Sequence, residues 1–320
     1  MDAVLLVAFG GPTAPSEIRP FLEIVARGRR IPPERLERVA QQYERMPGGR
    51  SPLRELTEAQ AEGLRATLTA RGRPLPVYLG MRNWHPFLPD TLATMAARGH
   101  RQALAIILSA FRTEASWDRY VSDVTAARQR TPGAPEVVFA PPWFDRPRFV
   151  AAVADGIAST LAAMPVAERA TVPLVFTAHS VPIAMASASP YVADFGTAAH
   201  AVAGRLGRTR WWLAYQSRSG SPSDRWLDPD IADVVAALAR EGARHVVVSP
   251  IGFVCDHVEV LYDLDIEARR AAAEMGVELH RASAVNAHPE FVAMLAELVT
   301  MACGGPSASG TERAFPHQNR

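Results

Sequence analysis

The chain has 320 residues, of which 48% are hydrophobic and 21% are charged, and its formal net charge is +1. This composition is ordinary for a globular protein with a large core, and the balanced charge provides no general attraction for nucleic acid. Its two cysteines are too few for a disulfide framework or a four-cysteine iron–sulfur or zinc site, and they favour a reducing, cytoplasmic location.

The first segment, MDAVLLVAFGGP, is short and apolar, and Asp2 stands where a secretory signal would carry basic residues. We predict that it is the first β-strand. No later run approaches the roughly 20 apolar residues of a transmembrane helix, so we expect no membrane span.

Apolar runs of strand length alternate with amphipathic stretches along the whole chain. The runs are AVLLVAF, LPVYLGM and ALAIILSAF in the first half, and VPLVFTAHSVP, RWWLAYQS and RHVVVSPIGF in the second. Continuous apolar strands separated by helices predict an α/β fold with parallel sheets buried on both faces.

The two halves repeat this order. VLLVAFGGP resembles PLVFTAHSVP, and MAARGHRQALAIILSAF resembles ALAREGARHVVVSPIGF, with extra residues in the first half. We predict two similar lobes, over 1–150 and 151–303, with a helical insertion at about 20–55 and the crossover at 134–149. The Gly/Ser/Pro-rich residues 304–320 are predicted to be a disordered tail.

Ligands of open α/β sheets bind beyond the carboxyl ends of the strands. One such end is FTAHSVP with His179, a residue type that is more often structural than functional when it stands alone. A hydrolase with Ser180 as nucleophile is disfavoured, because no G-x-S-x-G motif is present.

A second strand end is followed by the acidic stretch GFVCDHVEVLYDLDIE. On an α-helix with Asp256 as its N-cap, Asp256, Glu259, Asp263 and Glu267 would share one face. Such a row is either a solvated surface or a path for a cation or for protons, and we favour the path because like charges at this spacing repel.

His179 and Glu259 are expected to face each other across one cleft, since both follow strands of the second lobe. An imidazole opposite a carboxylate can bind a divalent metal or remove protons from nitrogen acids.

The basic RGRR segment contains Arg27 and Arg29, which either bind carboxylates of a ligand or simply increase solubility.

Taken in order, these motifs resemble the ferrochelatases, and among them the coproporphyrin type. The similarity extends to about residue 300, and the motifs are FTAHSVP, YQSRSGSPSDRWLDPD, SPIGFVCDHVEVLYDLDIE, GGRSPL, VYLGMRNWHPF and NAHPEF. The resemblance implies two Rossmann-like lobes with a cleft between them. It also implies an enzyme that inserts ferrous iron, its substrate, into coproporphyrin III in heme biosynthesis, without a fixed cofactor or an iron–sulfur cluster.

The resemblance also implies roles for individual residues. His179 and Glu259 match the pair that delivers metal and removes the pyrrole protons; Asp263 and Glu267 match the acidic ladder behind it. Asp256 and His257 match supporting positions. The positions that match porphyrin contacts are Phe9, Arg27, Arg29, Tyr43, Ser51 and Tyr120.

The chain departs from the family pattern at three places. Phe9 stands where many coproporphyrin-type relatives have an iron-coordinating tyrosine, so product release is expected to differ. Ala26 replaces an arginine of the basic segment, and Phe111 and Arg112 replace a histidine or glutamine at a strand end.

Several alternatives stay open. The substrate could be protoporphyrin IX, or the protein could bind tetrapyrroles without catalysis. Transient contact with neighbouring heme-pathway enzymes or a membrane surface also stays open.

Activity is expected to fall at acid pH, because only a neutral imidazole of His179 accepts a proton.

Overall fold

The computed structural model describes residues 1–28, 31–219 and 224–304. Arg29 and residues 305–320 of the predicted tail lie outside these ranges. Within the described residues, eight strands form two four-stranded sheets, and every strand pair is parallel.

The first sheet contains the first four strands in the order β2-β1-β3-β4. These strands are β1 (Ala3–Ala8), β2 (Val77–Met81), β3 (Gln102–Ile107) and β4 (Glu136–Phe139). Its helices are α1 (Ile18–Ala26), α2 (Pro33–Glu44), α3 (Leu53–Ala70), α4 (Leu88–Ala97) and α5 (Arg119–Arg130).

The second sheet repeats this order as β6-β5-β7-β8. Its strands are β5 (Leu174–His179), β6 (Trp211–Gln216), β7 (His245–Ser249) and β8 (Glu278–Arg281). The helices are α6 (Pro147–Ala162), α7 (Val166–Arg169), α8 (Ile183–Ser187), α9 (Tyr191–Arg205), α10 (Ile231–Arg240), α11 (Val258–Leu261), α12 (Arg269–Glu274) and α13 (Pro289–Ala302).

The duplicated α/β architecture predicted from the sequence is confirmed. Both matched segments fall on equivalent strands, β1 with β5 and β3 with β7. Two of the four edge strands differ from the prediction, since β4 lies inside the region assigned to the crossover and β8 was not predicted. Both are four residues long with exposed or half-exposed positions, so neither has the continuous apolar run of a central strand.

One hydrophobic core joins the two lobes. Helix α13, from the end of the chain, packs against α3 of the first lobe as well as α6, and residue 150 falls inside α6. Because buried side chains of both sheets belong to the same cluster, the lobes are held in a fixed relation and their strand ends can form one site.

Helices α1 and α2 lie in the predicted insertion and reach across to the second lobe. Phe21 and Tyr43 belong to one apolar cluster with Val258 and Tyr262, which lie within the acidic segment. In addition, the Arg45 guanidinium donates to the Tyr262 hydroxyl at 3.0 Å. The insertion therefore covers the segment that follows β7.

None of the helices within the described ranges combines the length and the apolarity needed to cross a membrane.

Candidate active site

His179 is the last residue of β5, and its ring is held in one orientation. The ring Nδ1 lies against the Ser180 carbonyl, and the Tyr191 hydroxyl donates to the His179 carbonyl at 2.8 Å. Because a carbonyl oxygen can only accept, Nδ1 must carry the hydrogen. In the neutral ring this leaves the Nε2 lone pair free, and Nε2 lies 3.7 Å from Oε1 of Glu259.

Glu259 is positioned by hydrogen bonds to its backbone. The Gln216 side-chain amide donates to the Glu259 carbonyl at 2.7 Å, and Gln216 is the residue paired with His179 across β5 and β6. The Glu259 N–H donates to Nδ1 of His257 at 3.2 Å. Two strand ends and a helix start therefore fix this carboxylate opposite the imidazole.

The loop after β7 can approach β5 only because residue 252 is glycine. A Cβ atom at Gly252 would lie 2.7 Å from the Cβ and 2.8 Å from the Cα of Ala178. The Gly252 N–H also donates to the Thr177 carbonyl at 3.0 Å. This close approach brings the chain that carries Glu259 to the end of the strand that carries His179.

We expect Gly252→Ala to impair both folding and the site. The added methyl group must push the loop away from β5, which should destabilise the protein by about 1 to 3 kcal/mol. Urea unfolding measures this loss, and Gly204→Ala, at a helix position with no atom near its Cβ, is the control. Equal unfolding midpoints for Gly252→Ala and the parent would contradict the close approach.

Asp256 does not have the position predicted for it. The N-cap of α11 is His257, whose ring accepts from the backbone, and Asp256 precedes the helix. Its carboxylate accepts from Arg281 at 2.8 Å, from the Ala284 N–H at 3.0 Å and from the Asn286 amide at 2.8 Å. Asp256 is thus a structural anchor for the loop after β8, and the prediction that it belongs to the acidic row was wrong.

The other three carboxylates form the row. Residues Asp263–Ala268 form a π-helix, and α11 leads directly into it. The wider turn of a π-helix suits a spacing of four residues, and Glu259, Asp263 and Glu267 follow that spacing. Both Glu259 and Glu267 act electrostatically on Asp263, so the three groups are neighbours.

Asp263 has a strongly raised pKa. Burial, followed by the charges of Glu259, Glu267 and Asp230, raises its pKa to about 8, although a hydrogen bond from the Ser217 hydroxyl opposes this change. Ser217 itself adopts a left-handed backbone conformation with φ of 61°. Strained residues concentrate at functional sites, and here the strain directs a donor at the row.

The raised pKa makes stability depend on pH. Between the unfolded value of 3.8 and the folded value of about 8, the folded state binds more protons at Asp263, so the stability of the metal-free protein falls as pH rises through this range. We expect Asp263→Asn to remove this loss and to stabilise the protein by about 1 to 3 kcal/mol at pH 8.5.

Urea unfolding of metal-free Asp263→Asn and of the parent at pH 5 to 9 measures this effect. The difference in stability should grow up to about pH 8 and then level off. Glu274→Gln, in an exposed ion pair with Arg270, is the control and should show no such trend. A constant difference between Asp263→Asn and the parent would contradict the raised pKa.

Three buried tyrosines surround Glu259. Burial and the Glu259 charge raise the pKa of Tyr43; burial, Tyr215 and Glu259 raise that of Tyr191. Burial, with a smaller contribution from Glu259, raises the pKa of Tyr120 to about 12, against the opposing effect of Arg82. Tyr43 and Tyr120 belong to the first lobe and Tyr191 to the second, so the carboxylate lies where the lobes meet.

The other residues predicted to contact the substrate differ in how exposed they are. Phe9, at the end of β1, is 39% exposed and its ring lies 6.4 Å from that of Phe21. Ser51 is buried next to Gly11, and its hydroxyl accepts from the Leu53 N–H. Arg27 is an exposed residue at the end of α1.

The end of β3 joins the lobes. Phe111 is buried against Phe195, while Arg112 donates to both carboxylate oxygens of Asp194 at 2.9 Å. Asp194 is itself buried on α9 of the second lobe. The departure noted at Phe111 and Arg112 therefore creates an interlobe contact.

Sequence reasoning missed the groups that position the pair. Gln216 ends β6 beside His179, Ser217 follows that strand, and the Tyr191 hydroxyl holds the backbone of His179. A sequence signal existed only for Gln216, as a buried polar residue at the end of a predicted strand.

Comparisons with known proteins agree with these motifs. The family model described as ferrochelatase matches residues 1–302. The chain is 45% identical over 315 residues to "Coproporphyrin III ferrochelatase" of Mycobacterium avium (strain 104), covering 97% of this chain and 91% of the relative. For the protein of the same name from Frankia alni, identity is 45% over 312 residues, with 93% of this chain and 79% of the relative covered.

Solved structures match at the level of the fold. The protein "SirB from Bacillus subtilis with Fe3+" has a TM-score of 0.60 at 12% identity, with 94% of this chain and 95% of that chain covered. A multi-domain Deinococcus radiodurans protein, described as structurally similar to chelatases, has a TM-score of 0.57 at 18% identity and covers 93% of this chain and 55% of that chain.

Proposed function

The chain belongs to the ferrochelatase family, and we propose that it inserts ferrous iron into coproporphyrin III, with His179 and Glu259 at the reacting nitrogens. The product is the iron porphyrin, and two protons leave the macrocycle. Iron is a substrate of this reaction, and the reaction needs no redox cofactor.

One observation carries the proposal for the site. Nε2 of His179 and the carboxylate of Glu259 face each other at 3.7 Å, at the junction of the two lobes. A porphyrin bound with its centre against this pair would present its pyrrole N–H groups to one base and its lone pairs to an incoming metal. Both groups can also ligate Fe²⁺, since imidazole and carboxylate suit a metal of intermediate hardness.

The two residues have complementary roles. The neutral imidazole accepts one pyrrole proton at Nε2, and the carboxylate beside it stabilises the imidazolium that forms and then accepts the second pyrrole proton. Glu259 also contacts the incoming ion, because a carboxylate oxygen is a ligand of hard and intermediate cations. Gln216 donates a hydrogen bond to the Glu259 carbonyl and Tyr191 donates one to the His179 carbonyl. These bonds hold both backbones and so keep the two side chains opposite each other.

Asp263 and Glu267 supply a route to this pair. A row of three carboxylates can pass a divalent ion from one group to the next without retaining it, because no thiolate is present to hold it tightly. The proton that Asp263 carries below about pH 8 would leave as iron arrives and return as iron departs.

The lobes supply the distortion that the chemistry requires. A flat free-base porphyrin shields its inner nitrogens, so a cleft that fits a bent ring accelerates insertion by differential binding. We assign Phe9, Tyr43 and Tyr120 to contacts with the ring, and Ser51, Arg27 and Arg29 to contacts with its carboxylates. The continuous hydrophobic core behind the cleft resists relaxation around a flat ring.

We further propose a cytoplasmic setting, which the balanced charge and the two free cysteines support. Contacts with neighbouring heme-pathway enzymes or with a membrane surface would be transient in this proposal.

An anaerobic metal-insertion assay tests the proposed function. The loss of free-base porphyrin fluorescence is followed with ferrous iron, using coproporphyrin III and protoporphyrin IX at equal concentrations. We expect faster turnover with coproporphyrin III, since its four carboxylates can reach basic groups that the two of protoporphyrin IX leave unpaired.

Two outcomes would replace the proposal. Preference for protoporphyrin IX would change the substrate and keep the reaction. Porphyrin binding without metal insertion, with either ring, would favour a non-catalytic tetrapyrrole-binding protein.

A further inference from the structure

A second group of metal-ligating side chains lies outside the cleft, at the outer edge of the second sheet. His245 begins β7, and Glu278 and His280 lie on the edge strand β8. Among the described residues, these three place one ligand atom each within 4.8 Å of the others. His245 is separated from the end of β7 by about 13 Å, four steps along a strand, so this group is distinct from the residues that follow Ser249.

The strand register brings the three side chains to one face. His245 is paired with Glu278, and His280 follows Glu278 by two residues. Side chains of paired residues, and of residues two apart on a strand, point to the same side of a sheet. The arrangement is therefore fixed by backbone hydrogen bonds and does not depend on a loop.

The distances match those between ligands of one ion. Nδ1 of His245 lies 3.1 Å from Nε2 of His280 and 3.4 Å from Oε2 of Glu278, and Nε2 of His280 lies 3.8 Å from Oε1 of Glu278. A metal about 2.0 to 2.2 Å from each ligand keeps ligand atoms roughly 3 to 3.5 Å apart. Small rotations of the exposed Glu278 side chain complete this geometry.

The surroundings leave room for further ligands. A surface cavity of about 480 Å³ is lined by Glu278 and His280 together with Thr160 of α6, Ala163 just after that helix, and Arg269 of α12. Water, or a small anion drawn by Arg269, could occupy the positions that three protein ligands leave open. Two imidazoles and one carboxylate with open positions are a ligand set for zinc, ferrous iron or cobalt.

We propose that His245, Glu278 and His280 form a peripheral binding site for a divalent transition metal, separate from the cleft. This proposal does not rest on the porphyrin chemistry. A bound ion would connect the edge strand β8 to β7, and it should raise the melting temperature because it binds the folded state alone.

The test counts zinc ions by equilibrium dialysis in a chain whose cleft pair is disabled by His179→Ala and Glu259→Gln. We expect one zinc ion per chain, and its loss when His245→Gln and His280→Gln are added. The matched control adds His200→Gln, an exposed histidine of α9 outside the group, and should retain the ion. Undiminished zinc binding in the His245→Gln/His280→Gln chain would overturn the proposal.

A second measurement uses the unaltered chain, so it does not depend on the folding of a variant. Diethyl pyrocarbonate modification, read by mass spectrometry at each histidine, should be slowed by zinc at His245 and His280 and unchanged at His200. Chelation of the zinc should restore modification. Equal modification of His245 and His280 with and without zinc would overturn the proposal.

Discussion

His179→Ala should reduce metal insertion by about 100- to 10,000-fold, the range expected when a general base is removed. The variant loses Nε2, which lies 3.7 Å from Oε1 of Glu259 and has a free lone pair in the neutral ring. Glu259→Gln should have an effect of similar size, since the amide neither stabilises an imidazolium nor carries charge to an incoming cation. Initial rates of porphyrin fluorescence loss with ferrous iron measure both effects.

The double variant and a binding measurement separate catalysis from folding. If His179 and Glu259 act as one unit, His179→Ala/Glu259→Gln should be little slower than either single variant. Coproporphyrin III binding, followed by its absorbance, should persist in all three. His200→Ala, in an exposed position of α9, should leave the rate unchanged. A His179→Ala protein that turns over like the parent would rule out the proposed pair.

Asp256→Ala should produce the largest loss of stability, about 2 to 4 kcal/mol. The carboxylate is only 16% exposed, and it accepts hydrogen bonds from Arg281, Asn286 and the Ala284 N–H. Its removal leaves these donors without their acceptor inside a largely buried network. The loss of a charged partner in such a network lowers the free energy of unfolding substantially. Arg281 would keep its contact with Asp265, which limits the loss.

Urea unfolding, with Glu274→Ala as the control, measures this loss. The Glu274 carboxylate is 70% exposed in an ion pair with Arg270, so its removal should change stability by less than about 1 kcal/mol. A comparable small change for Asp256→Ala would show that Asp256 is a solvated charge and not an anchor. We expect Asp256→Asn to be more stable than Asp256→Ala but less stable than the parent, because the amide oxygen can still accept from Asn286.

Apolar runs in the sequence correctly predicted the strands that are buried along their whole length. The central strands β1, β3, β5 and β7 are buried on both faces, so each appears as an unbroken apolar run. The edge strands β4 and β8 have mixed exposure, and no such run marks them. The repetition of the central strands in two lobes could therefore be predicted, while the width of each sheet could not.

The acidic segment shows the limit of a helical pattern. By spacing alone, Asp256 was predicted to share one helix face with Glu259, Asp263 and Glu267. In the structure Asp256 is held by Arg281, which lies 25 residues further along the chain. Nor could spacing predict the π-helix over Asp263–Ala268, because its wider turn depends on how the segment packs.

The sequence by itself determined the duplicated α/β fold through its local apolar patterns and the resemblance to the ferrochelatases through its motifs. It also predicted that His179 faces Glu259, because both follow strands of the second lobe. Tertiary structure alone decided how Glu259 is held opposite the imidazole, that Asp256 lies outside the acidic row, which nitrogen of His179 is free, and that His245, Glu278 and His280 converge. Each of these depends on contacts between residues distant in the chain, and such contacts leave no periodic pattern to detect.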